Sequence, residues 1–318
     1  MDWKGRRVAV TGSAGVIGRQ LLNFLHERRA VIWSLDLLPL PDDVLGRDVI
    51  THYEMDLGQM PVSTLTEFRP EVIFHLAASF ERSTETPDFW DENYPNNVVA
   101  SHRIVEVAQQ CSGVQVFLFA SSYLVYAPEL YLGRGSGELR KLKETDLVGP
   151  RNLCGSAKYY TEGELGFVSR IGGYRSIFAR IYRVFGRGSR DVISRWVRAA
   201  LAGQEIDVYA DEGRFDYVFA DDVAEGMIRL AETSICGPVN LTSGRARRVS
   251  EVIGALKHVF PNLKVRNLHI DMPIEGSEGD ITKLVENTGW RPQITVEQGI
   301  QKVLEYEKHR AETVKAHS

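Results

Sequence analysis

The feature that most constrains this chain is a glycine-rich turn near its start, between a short apolar strand and a helical segment. Residues 11–18 spell TGSAGVIG directly after the apolar run Val8–Val10. In such a turn the first glycine permits tight reversal, the second lets backbone approach a diphosphate, and the third allows close packing of helix against strand. Amides that open the helix then face the anion. The residues that we predict to bind a dinucleotide here are Gly12, Gly15, Val16, Ile17 and Gly18.

Short apolar runs alternate with longer amphipathic segments through the first half of the chain. Helical spacing of apolar residues appears in Arg19–Arg28 and in Asn97–Gln109. Alternation of this kind predicts a parallel sheet covered by helices on both faces, with right-handed connections. The fold class is therefore predicted to be α/β, with a doubly wound, Rossmann-type sheet. The predicted strands are Val8–Val10, Val31–Leu35, Val72–Leu76 and Val116–Ala120.

The second half is less regular, and Ser176–Val184 and Tyr217–Phe219 are predicted as strands that extend the same sheet. We predict that residues 1–178 form a dinucleotide-binding Rossmann domain whose sheet is completed by about 214–243. Residues 179–318 would mainly form a smaller α/β lobe that binds substrate. The loop Pro128–Arg151 is longer than most loops in compact domains, which favours either disorder or an active-site role. The predicted helices of the lobe are Ile193–Ala202, Val249–Val259 and Val296–His309.

The composition of the chain argues against nucleic acids, membranes and metal ions as its partners. A net charge of −4 argues against a chain that neutralises nucleic-acid phosphates. No stretch approaches the roughly 20 apolar residues that span a bilayer. Because the sequence enters a predicted strand at once, we expect no secretory signal. Its three cysteines form neither a disulfide framework nor a CxxC metal pair. We expect a cytoplasmic protein without nucleic-acid, membrane or metal partners.

Two aspartates stand where strands are predicted to end. Asp36 closes the second strand, where a carboxylate accepts hydrogen bonds from the adenosine ribose and repels a 2′-phosphate. Neither Leu37 nor Leu38 offers a compensating cation, which favours NAD over NADP. Asp56, followed by Leu57, would end the third strand and meet the adenine amino group.

Several further stretches, in order, resemble the extended short-chain dehydrogenase/reductase family, which includes the sugar-nucleotide epimerases and dehydratases. His75-Leu76-Ala77-Ala78 resembles its HLAA strand end, Asn97-Val98-Val99 the helix with its structural asparagine, and Ser121–Tyr126 its SSxxxVY strand. Phe215–Val223 resembles RDFVYVDDV, and Asp280–Lys283 and Gly289–Pro292 resemble the closing DxxK and GWxP signatures. The resemblance implies a cofactor role for Leu76, Ala77, Ala78, Asn97 and Tyr182, and contact of Ser79 and Ser122 with substrate.

The family's active site rests on a YxxxK helix, in which lysine lowers the tyrosine pKa and holds the nicotinamide ribose. Here Lys158 stands at the lysine position, but Cys154 stands at the tyrosine position. Three explanations remain open. Another tyrosine, with Tyr123 the best candidate, or a water moves the proton. Alternatively, Cys154 itself is the acid/base group, its thiol pKa lowered by the neighbouring ammonium. In the third, oxidation chemistry has been lost and the fold binds NAD for another purpose.

The substrate lobe departs from the family as well. Arg183 replaces the asparagine of RxxNVYG, and Phe215 occupies the arginine position of RDFVYVDD, with Arg214 preceding it. A diphosphate site could be rebuilt in shifted form, because arginine is a good bidentate partner of phosphate; the candidates are Arg183, Arg187, Arg190 and Arg214. Alternatively, these arginines are solvated charges on a loop. The stretch after Ser122 lacks the Thr-Asp-Glu of the hexose 4,6-dehydratases, which disfavours that reaction.

The resemblance thus implies NAD-dependent modification of a nucleotide-linked sugar by transient oxidation at a carbinol carbon. Epimerisation or oxidoreduction is favoured over 4,6-dehydration. Ser122, Lys158 and either Cys154 or Tyr123 would be the catalytic residues. Two alternatives stay open: an NAD-binding regulatory module, and a dehydrogenase or reductase that releases its cofactor. The resemblance also implies a homodimer that packs two helices from each subunit together.

Overall fold

Strands and helices alternate along the chain in a computed structural model that describes residues 1–80, 87–133, 139–209, 211–268 and 273–316. The strands found there are β1 (Arg7–Thr11), β2 (Val31–Asp36), β3 (Thr51–Glu54), β4 (Val72–His75), β5 (Val116–Ser122), β6 (Lys141–Leu142), β7 (Arg175–Ile181), β8 (Arg183–Phe185), β9 (Ile206–Tyr209), β10 (Arg214–Phe215), β11 (Tyr217–Phe219), β12 (Gly237–Leu241), β13 (Arg247–Arg248), β14 (Val265–Leu268) and β15 (Gly276–Gly279).

Most helices lie between successive strands along the chain. Short helical turns also occur at Leu57–Gln59, Tyr94–Val99, Tyr123–Val125 and Pro128–Leu130. The α-helices of the described residues are α1 (Gly18–Glu27), α2 (Val62–Thr66), α3 (Pro87–Asn93), α4 (Ala100–Gln110), α5 (Leu153–Gly172), α6 (Val192–Leu201), α7 (Ala220–Glu232), α8 (Val249–Val259), α9 (Thr282–Thr288) and α10 (Val296–Ala316). None of them has both the length and the apolar character needed to cross a membrane.

The central sheet has seven strands in the order β12-β7-β5-β4-β1-β2-β3. Every pairing within it is parallel. From β1 the chain moves outward through β2 and β3 and then returns to β4 on the other side of β1. This reversal is the topological switch point at which doubly wound sheets bind ligands. The predicted fold class is confirmed.

The sheet is covered on both faces because side chains alternate along its strands. Val8 and Val10 of β1 point into one core, formed with α1, α7 and α9. Ala9 points into the other, formed with α2, α4 and α5. The longest helix of the site, α5, begins at an Asn152 cap whose side chain accepts a hydrogen bond from the Gly155 amide at 2.9 Å.

One strand prediction is wrong. Tyr217–Phe219 does not extend the central sheet but pairs with β8 in a separate two-stranded sheet. The predicted strand Ser176–Val184 is interrupted at Tyr182, so only Arg175–Ile181 joins the central sheet. The seventh place is taken by β12, beside β7. Buried apolar runs have the same appearance in either sheet, so their pattern cannot assign the pairing.

Part of the second half forms a separate core, built from β8, β9, β11, α6, α8 and α10, whereas β12, α7 and α9 belong to the central sheet or to one of its cores. A four-stranded sheet in the order β13-β10-β15-β6 lies in this half, although β6 comes from the long loop Pro128–Arg151. That loop therefore contributes an ordered strand, while residues 134–138 within it lie outside the described residues. The division at residue 178 stays a prediction.

Candidate active site

The glycine turn lies at the carboxyl end of β1, next to the end of β4. Gly12 has a φ of +72°, and a Cβ there would lie 2.5 Å from the Ala77 amide nitrogen. A Cβ on Gly18 would lie 2.2 Å from the carbonyl oxygen of Gly12. Both approaches exclude any side chain, as the sequence predicts. A Cβ on Gly15 would meet only that same carbonyl oxygen, at 3.2 Å, so its backbone stays open to an approaching diphosphate.

The two predicted adenosine-binding aspartates lie at strand ends and are held by backbone amides. Asp36 accepts hydrogen bonds from the amides of Ala14 at 2.9 Å and Leu38 at 3.2 Å, which ties it to the glycine turn. Its side chain remains partly exposed. Asp56 caps the turn Leu57–Gln59 by accepting from the Gly58 amide at 2.9 Å. Their contacts with adenosine stay predictions.

The segment after β4 is anchored from both sides. On one side, the Leu76 amide donates to the Thr11 carbonyl oxygen at 3.0 Å. On the other, Asn97 holds Ser79 twice: its Oδ1 accepts from the Ser79 amide at 2.7 Å, and its Nδ2 donates to the Ser79 carbonyl oxygen at 2.9 Å. Asn97 is buried. It therefore shapes the loop that carries Leu76–Ser79, and its predicted cofactor role would act through that loop.

A buried relay lies beneath this loop. The Thr11 hydroxyl is 2.7 Å from Nδ1 of His75, and Nε2 of His75 is 3.0 Å from the Ser101 hydroxyl. Burial, together with the charge of Lys158, lowers the pKa of His75 to about 3. The imidazole is therefore neutral at physiological pH and acts as a structural bridge between β1, β4 and α4.

The first turn of α5 packs against the end of β5. A Cβ on Gly155 would lie 2.4 Å from the Leu124 carbonyl oxygen, so helix and strand end touch through backbone. The Ser122 hydroxyl oxygen accepts a hydrogen bond from the Leu124 amide at 3.2 Å. Cys154 is buried, with its sulfur 3.7 Å from the Ser79 carbonyl oxygen. The structure thus brings Ser79, Ser122 and Cys154 to one edge of the sheet.

Lys158 lies one helical turn beyond Cys154. Its ammonium is 4.7 Å from the centre of the Phe119 ring, on the strand that ends in Ser122. Within the described residues no carboxylate forms an ion pair with it. Burial lowers the pKa of Lys158 to about 8, while the neighbouring Cys154 acts in the opposite direction. The lysine therefore carries an uncompensated positive charge near neutral pH, beside β5, the strand that ends in Ser122.

Glu162 fixes the helix that carries Lys158. Its carboxylate binds Arg180 of β7 through both oxygens, at 3.0 and 2.7 Å, and accepts from the Ser121 hydroxyl at 2.5 Å. Glu162 and Arg180 are both buried, so the pair is shielded from solvent. The network joins α5 to β5 and β7 one turn after Lys158.

Tyr123 and Tyr182 have separate surroundings. The two rings stack with centroids 4.9 Å apart. The Tyr123 hydroxyl donates to Glu275 at 2.9 Å, and burial raises the pKa of Tyr123 well above its usual value. Tyr182 is buried and packs where a Cβ on Gly279 would stand, 3.0 Å from its Cζ. Both phenols are buried, so neither fits the explanation in which another tyrosine moves the proton of the substrate.

The sequence analysis did not single out Glu275, the residue that accepts the Tyr123 hydrogen bond. Its buried carboxylate also binds Arg151 at 2.5 Å and Arg183 at 3.0 Å. Arg214 lies in β10, where its amide donates to the Glu275 carbonyl oxygen at 2.8 Å. Of the two predicted substrate arginines, Arg183 therefore binds this carboxylate through its guanidinium, while the bond from Arg214 joins backbone to backbone. Glu275 is followed by a glycine, a serine and a second glutamate and belongs to no motif of the sequence analysis, so no local signal could have revealed it.

The remaining predicted cofactor residues differ in their surroundings. Ile17 packs on the core beside α1, and Val16 lies against Gly186, with its Cγ2 3.3 Å from the place a Cβ would occupy there. Ala78 is exposed, while Leu57 is buried. Among the described residues no group of three His, Cys, Asp or Glu side chains could hold a metal ion.

Sequence comparison decides the family. The NAD dependent epimerase/dehydratase family matches residues 8–240. The chain belongs to this family. Its cofactor is accordingly NAD, which the open backbone at Gly15 and the carboxylate of Asp36 fit.

The similarity to individual members of the family extends over almost the whole chain. The UDP-glucose 4-epimerase of Mycolicibacterium smegmatis is 27% identical over 96% of this chain and 100% of its own length. The structure of the UDP-glucose 4-epimerase of Thermotoga maritima, with UDP-glucose, covers 96% of this chain and 99% of its own, at 24% identity and a TM-score of 0.83. That likeness shows the fold.

A further solved structure contains the cofactor. The protein MoeE5, in complex with UDP-glucuronic acid and NAD, is 25% identical, covers 96% of this chain and 99% of its own, and has a TM-score of 0.81. Its fold agrees with the central sheet described above.

Proposed function

We propose that this chain modifies a nucleotide-linked sugar by transient, NAD-dependent oxidation at a carbinol carbon. The observation that carries the proposal is the position of Lys158, whose ammonium lies over Phe119, three residues before Ser122 on β5. The glycine turn and Asp36 lie along the same edge of the sheet. Relatives named UDP-glucose 4-epimerase and UDP-glucuronic acid decarboxylase support the nucleotide-linked substrate.

Bound NAD would supply reversible hydride acceptance at the carbinol carbon. The chain's own residues bind and orient the reactants. Amides at the start of α1 would face the diphosphate, and Asp36 would accept hydrogen bonds from the adenosine ribose. Lys158 would hold the nicotinamide ribose and supply positive charge. The Ser122 hydroxyl, which uses only its acceptor side in the bond from Leu124, would donate to the substrate oxygen.

Proton transfer is best assigned to Cys154, directly or through a water. The Tyr123 hydroxyl already donates to Glu275, and its raised pKa opposes formation of a phenolate. Cys154 lies one turn from the Lys158 ammonium, and a nearby cation favours a thiolate. Because cysteine is shorter than tyrosine, a bridging water would extend its reach. Loss of the chemistry, with the fold kept as an NAD-binding regulatory module, is the second candidate, favoured by the replacement of tyrosine at Cys154.

The type of reaction follows from which residues are present. Without the Thr-Asp-Glu stretch after Ser122, epimerisation or simple oxidoreduction is favoured over 4,6-dehydration. Ser79, Arg183 and Arg214 would bind the sugar and its phosphates. A chain that recycles NAD would retain it through purification, whereas a dehydrogenase or reductase would release it in each cycle.

The test is turnover of a panel of nucleotide sugars, followed by product mass and by absorbance of reduced nicotinamide. Lys158→Met should abolish turnover, while Lys257→Met, an exposed change on α8, should leave it unchanged. Full activity in Lys158→Met would remove the lysine from the mechanism. NAD binding without turnover of any substrate by the unaltered chain would favour the regulatory module.

A homodimer is part of the proposal. Tyr160, Phe167 and Ile171 form one stripe along α5 and are 53%, 59% and 69% exposed. His102 of α4 binds Glu164 of α5 beside this stripe, so two helices share the face. Large exposed apolar patches mark protein interfaces, and a second copy would cover this one.

Sedimentation would test the dimer. The unaltered chain should sediment at twice the monomer mass, and Phe167→Glu with Ile171→Glu should sediment as a monomer. Leu201→Glu, an exposed change on α6, is the control and should keep the dimer. A monomeric unaltered chain would contradict the proposal. We also propose a cytoplasmic location, supported by three cysteines that form no disulfide.

A further inference from the structure

Two arginines share one oxygen of a buried glutamate. Oε2 of Glu275 lies 2.5 Å from Nη1 of Arg151 and 3.0 Å from Nη2 of Arg183. Oε1 accepts from the hydroxyls of Tyr123 and Ser277, each at 2.9 Å. Although burial raises the pKa of Glu275, the two guanidiniums outweigh it and hold the pKa below the usual value. The glutamate is therefore ionised and has no capacity for a further cation.

The cluster carries one surplus positive charge. Two guanidiniums face a single carboxylate, and among the described residues neither arginine forms an ion pair with a second acidic side chain. The two arginine side chains are also the more accessible part of the cluster. The Glu275 side chain is 5% exposed, whereas those of Arg151 and Arg183 are 28% and 38% exposed. An anion arriving from solvent would meet the arginines and not the carboxylate.

Both guanidiniums are held in place before any ligand arrives. The Arg183 guanidinium carbon lies 4.2 Å from the centre of the Phe215 ring, and that of Arg151 lies 5.9 Å from the centre of the Tyr131 ring. Fixing two long side chains in advance removes much of the entropy cost of ordering them on binding. Planar, fixed guanidiniums suit an oxyanion such as a carboxylate or phosphate.

The cluster adjoins the proposed reaction site. Tyr123, which binds Glu275, directly follows Ser122. The Arg151 amide donates to the Leu124 carbonyl oxygen at 3.0 Å, and Arg151 lies just before α5, which carries Cys154. An anionic group attached to the same sugar as the reacting carbinol is the chemistry that this placement would recognise.

We propose that Arg151 and Arg183 form an oxyanion clamp for a group attached to the sugar of the substrate, with Glu275 as the positioning residue. The group is a carboxylate on the sugar or the phosphate at its anomeric carbon. This rests on the proposed function for its substrate. The clamp fixes the sugar beside Ser122, so it acts chiefly on binding and not on the chemical step.

The experiment compares Arg151→Gln, Arg183→Gln and Glu275→Gln with Arg266→Gln, which removes an exposed pair with Asp207 in the lobe. KM for a nucleotide sugar should rise about 10- to 100-fold in the two clamp arginine variants, with kcat changed less than about threefold. Glu275→Gln should raise KM in the same direction, because its weaker acceptor no longer fixes the arginines. Arg266→Gln should match the unaltered chain. NAD affinity, measured by calorimetry, should be unchanged in all four.

Comparing two substrates distinguishes a carboxylate on the sugar from the phosphate at its anomeric carbon. A KM increase in Arg183→Gln for a nucleotide-linked hexuronate, but not for a neutral nucleotide-linked hexose, assigns the clamp to the sugar carboxylate. An equal increase for both, together with weaker binding of hexose 1-phosphate, assigns it to the phosphate. Unchanged KM for both substrates in both arginine variants, with NAD still bound, would overturn the clamp.

Calorimetry keeps the clamp distinct from the proposed function. Hexose 1-phosphate and free hexuronate are titrated into the NAD-loaded chain without any turnover. Binding of either ligand that is lost in Arg183→Gln but kept in Arg266→Gln supports the clamp, even where no nucleotide sugar reacts. Binding that is equal in both variants, or no binding of either ligand, contradicts it.

Discussion

Tyr123 donates its hydroxyl hydrogen to Glu275 across 2.9 Å, and two arginines keep that glutamate ionised. The phenol is therefore a donor to a fixed carboxylate and is poorly placed to accept a proton from substrate. Tyr123→Phe should keep kcat within about threefold and lower the free energy of unfolding by about 1 kcal/mol, the usual contribution of one hydrogen bond. Steady-state kinetics and urea unfolding measure the two quantities. A loss of kcat above about 100-fold, with NAD still bound, would return Tyr123 to the role of acid/base.

Cys154 is then the group whose removal should stop proton transfer. Cys154→Ala should lower kcat by about 10²- to 10⁴-fold, the range that general acid–base groups contribute. NAD affinity should persist, since the glycine turn and Asp36 are untouched. Cys111→Ala is the matched control, because Cys111 is also buried but lies between α4 and β5, away from the site. Equal turnover in the two variants would exclude Cys154 as the proton-transfer group.

The pH dependence of activity should report Lys158. Burial lowers the pKa of Lys158 to about 8, so its ammonium is present below that pH and is lost as the pH rises through it. Since the proposed role needs the positive charge, kcat/KM should fall above about pH 8. In Lys158→Arg the guanidinium stays charged, so the residual activity should lose this falling limb. If kcat/KM of Lys158→Arg still falls near pH 8, the titrating group is not Lys158.

Much of this site could be predicted from the sequence because its signals are local. The glycine spacing in residues 11–18 specifies a turn whose side-chain-free approaches are present at Gly12 and Gly18. The lysine one turn after Cys154 follows from helix periodicity alone. Strand identity was predictable for β1, β2, β4 and β5, which are short, buried and apolar.

What could not be predicted depends on contacts between distant segments. Glu275 joins Tyr123, 152 residues earlier, and Arg151, 124 residues earlier, and no local pattern encodes such a meeting. The assignment of Tyr217–Phe219 to the central sheet failed for the same reason, since pairing with β8 is a choice between two apolar partners. The sequence analysis assigned Arg183 to the substrate diphosphate and did not foresee its ion pair with Glu275.

Cofactor preference should depend on Asp36. Its carboxylate accepts from the Ala14 amide at 2.9 Å and would repel a 2′-phosphate on the adenosine ribose. Asp36→Asn removes the charge but keeps an acceptor for that amide, so the preference for NAD over NADP should fall by about tenfold. Calorimetric dissociation constants for both cofactors check it. Asp56→Asn, at the cap of Leu57–Gln59, should leave the ratio of the two constants unchanged, and an equal fall in both variants would contradict a specific role for Asp36.

The ion pair between Glu162 and Arg180 should support both stability and the position of Lys158. Both side chains are about 5% exposed or less, so removing one partner leaves a buried charge uncompensated. Glu162→Gln should lower the free energy of unfolding by about 3–5 kcal/mol. Glu106→Gln, which removes an exposed pair with Arg103 on α4, should cost less than about 1 kcal/mol. Because Glu162 lies one turn after Lys158 on α5, the surviving folded fraction of Glu162→Gln should also show a lower kcat per folded molecule. Urea unfolding with active-site titration separates the two effects, and a stability loss no larger than that of Glu106→Gln would show that the buried pair does not anchor the helix.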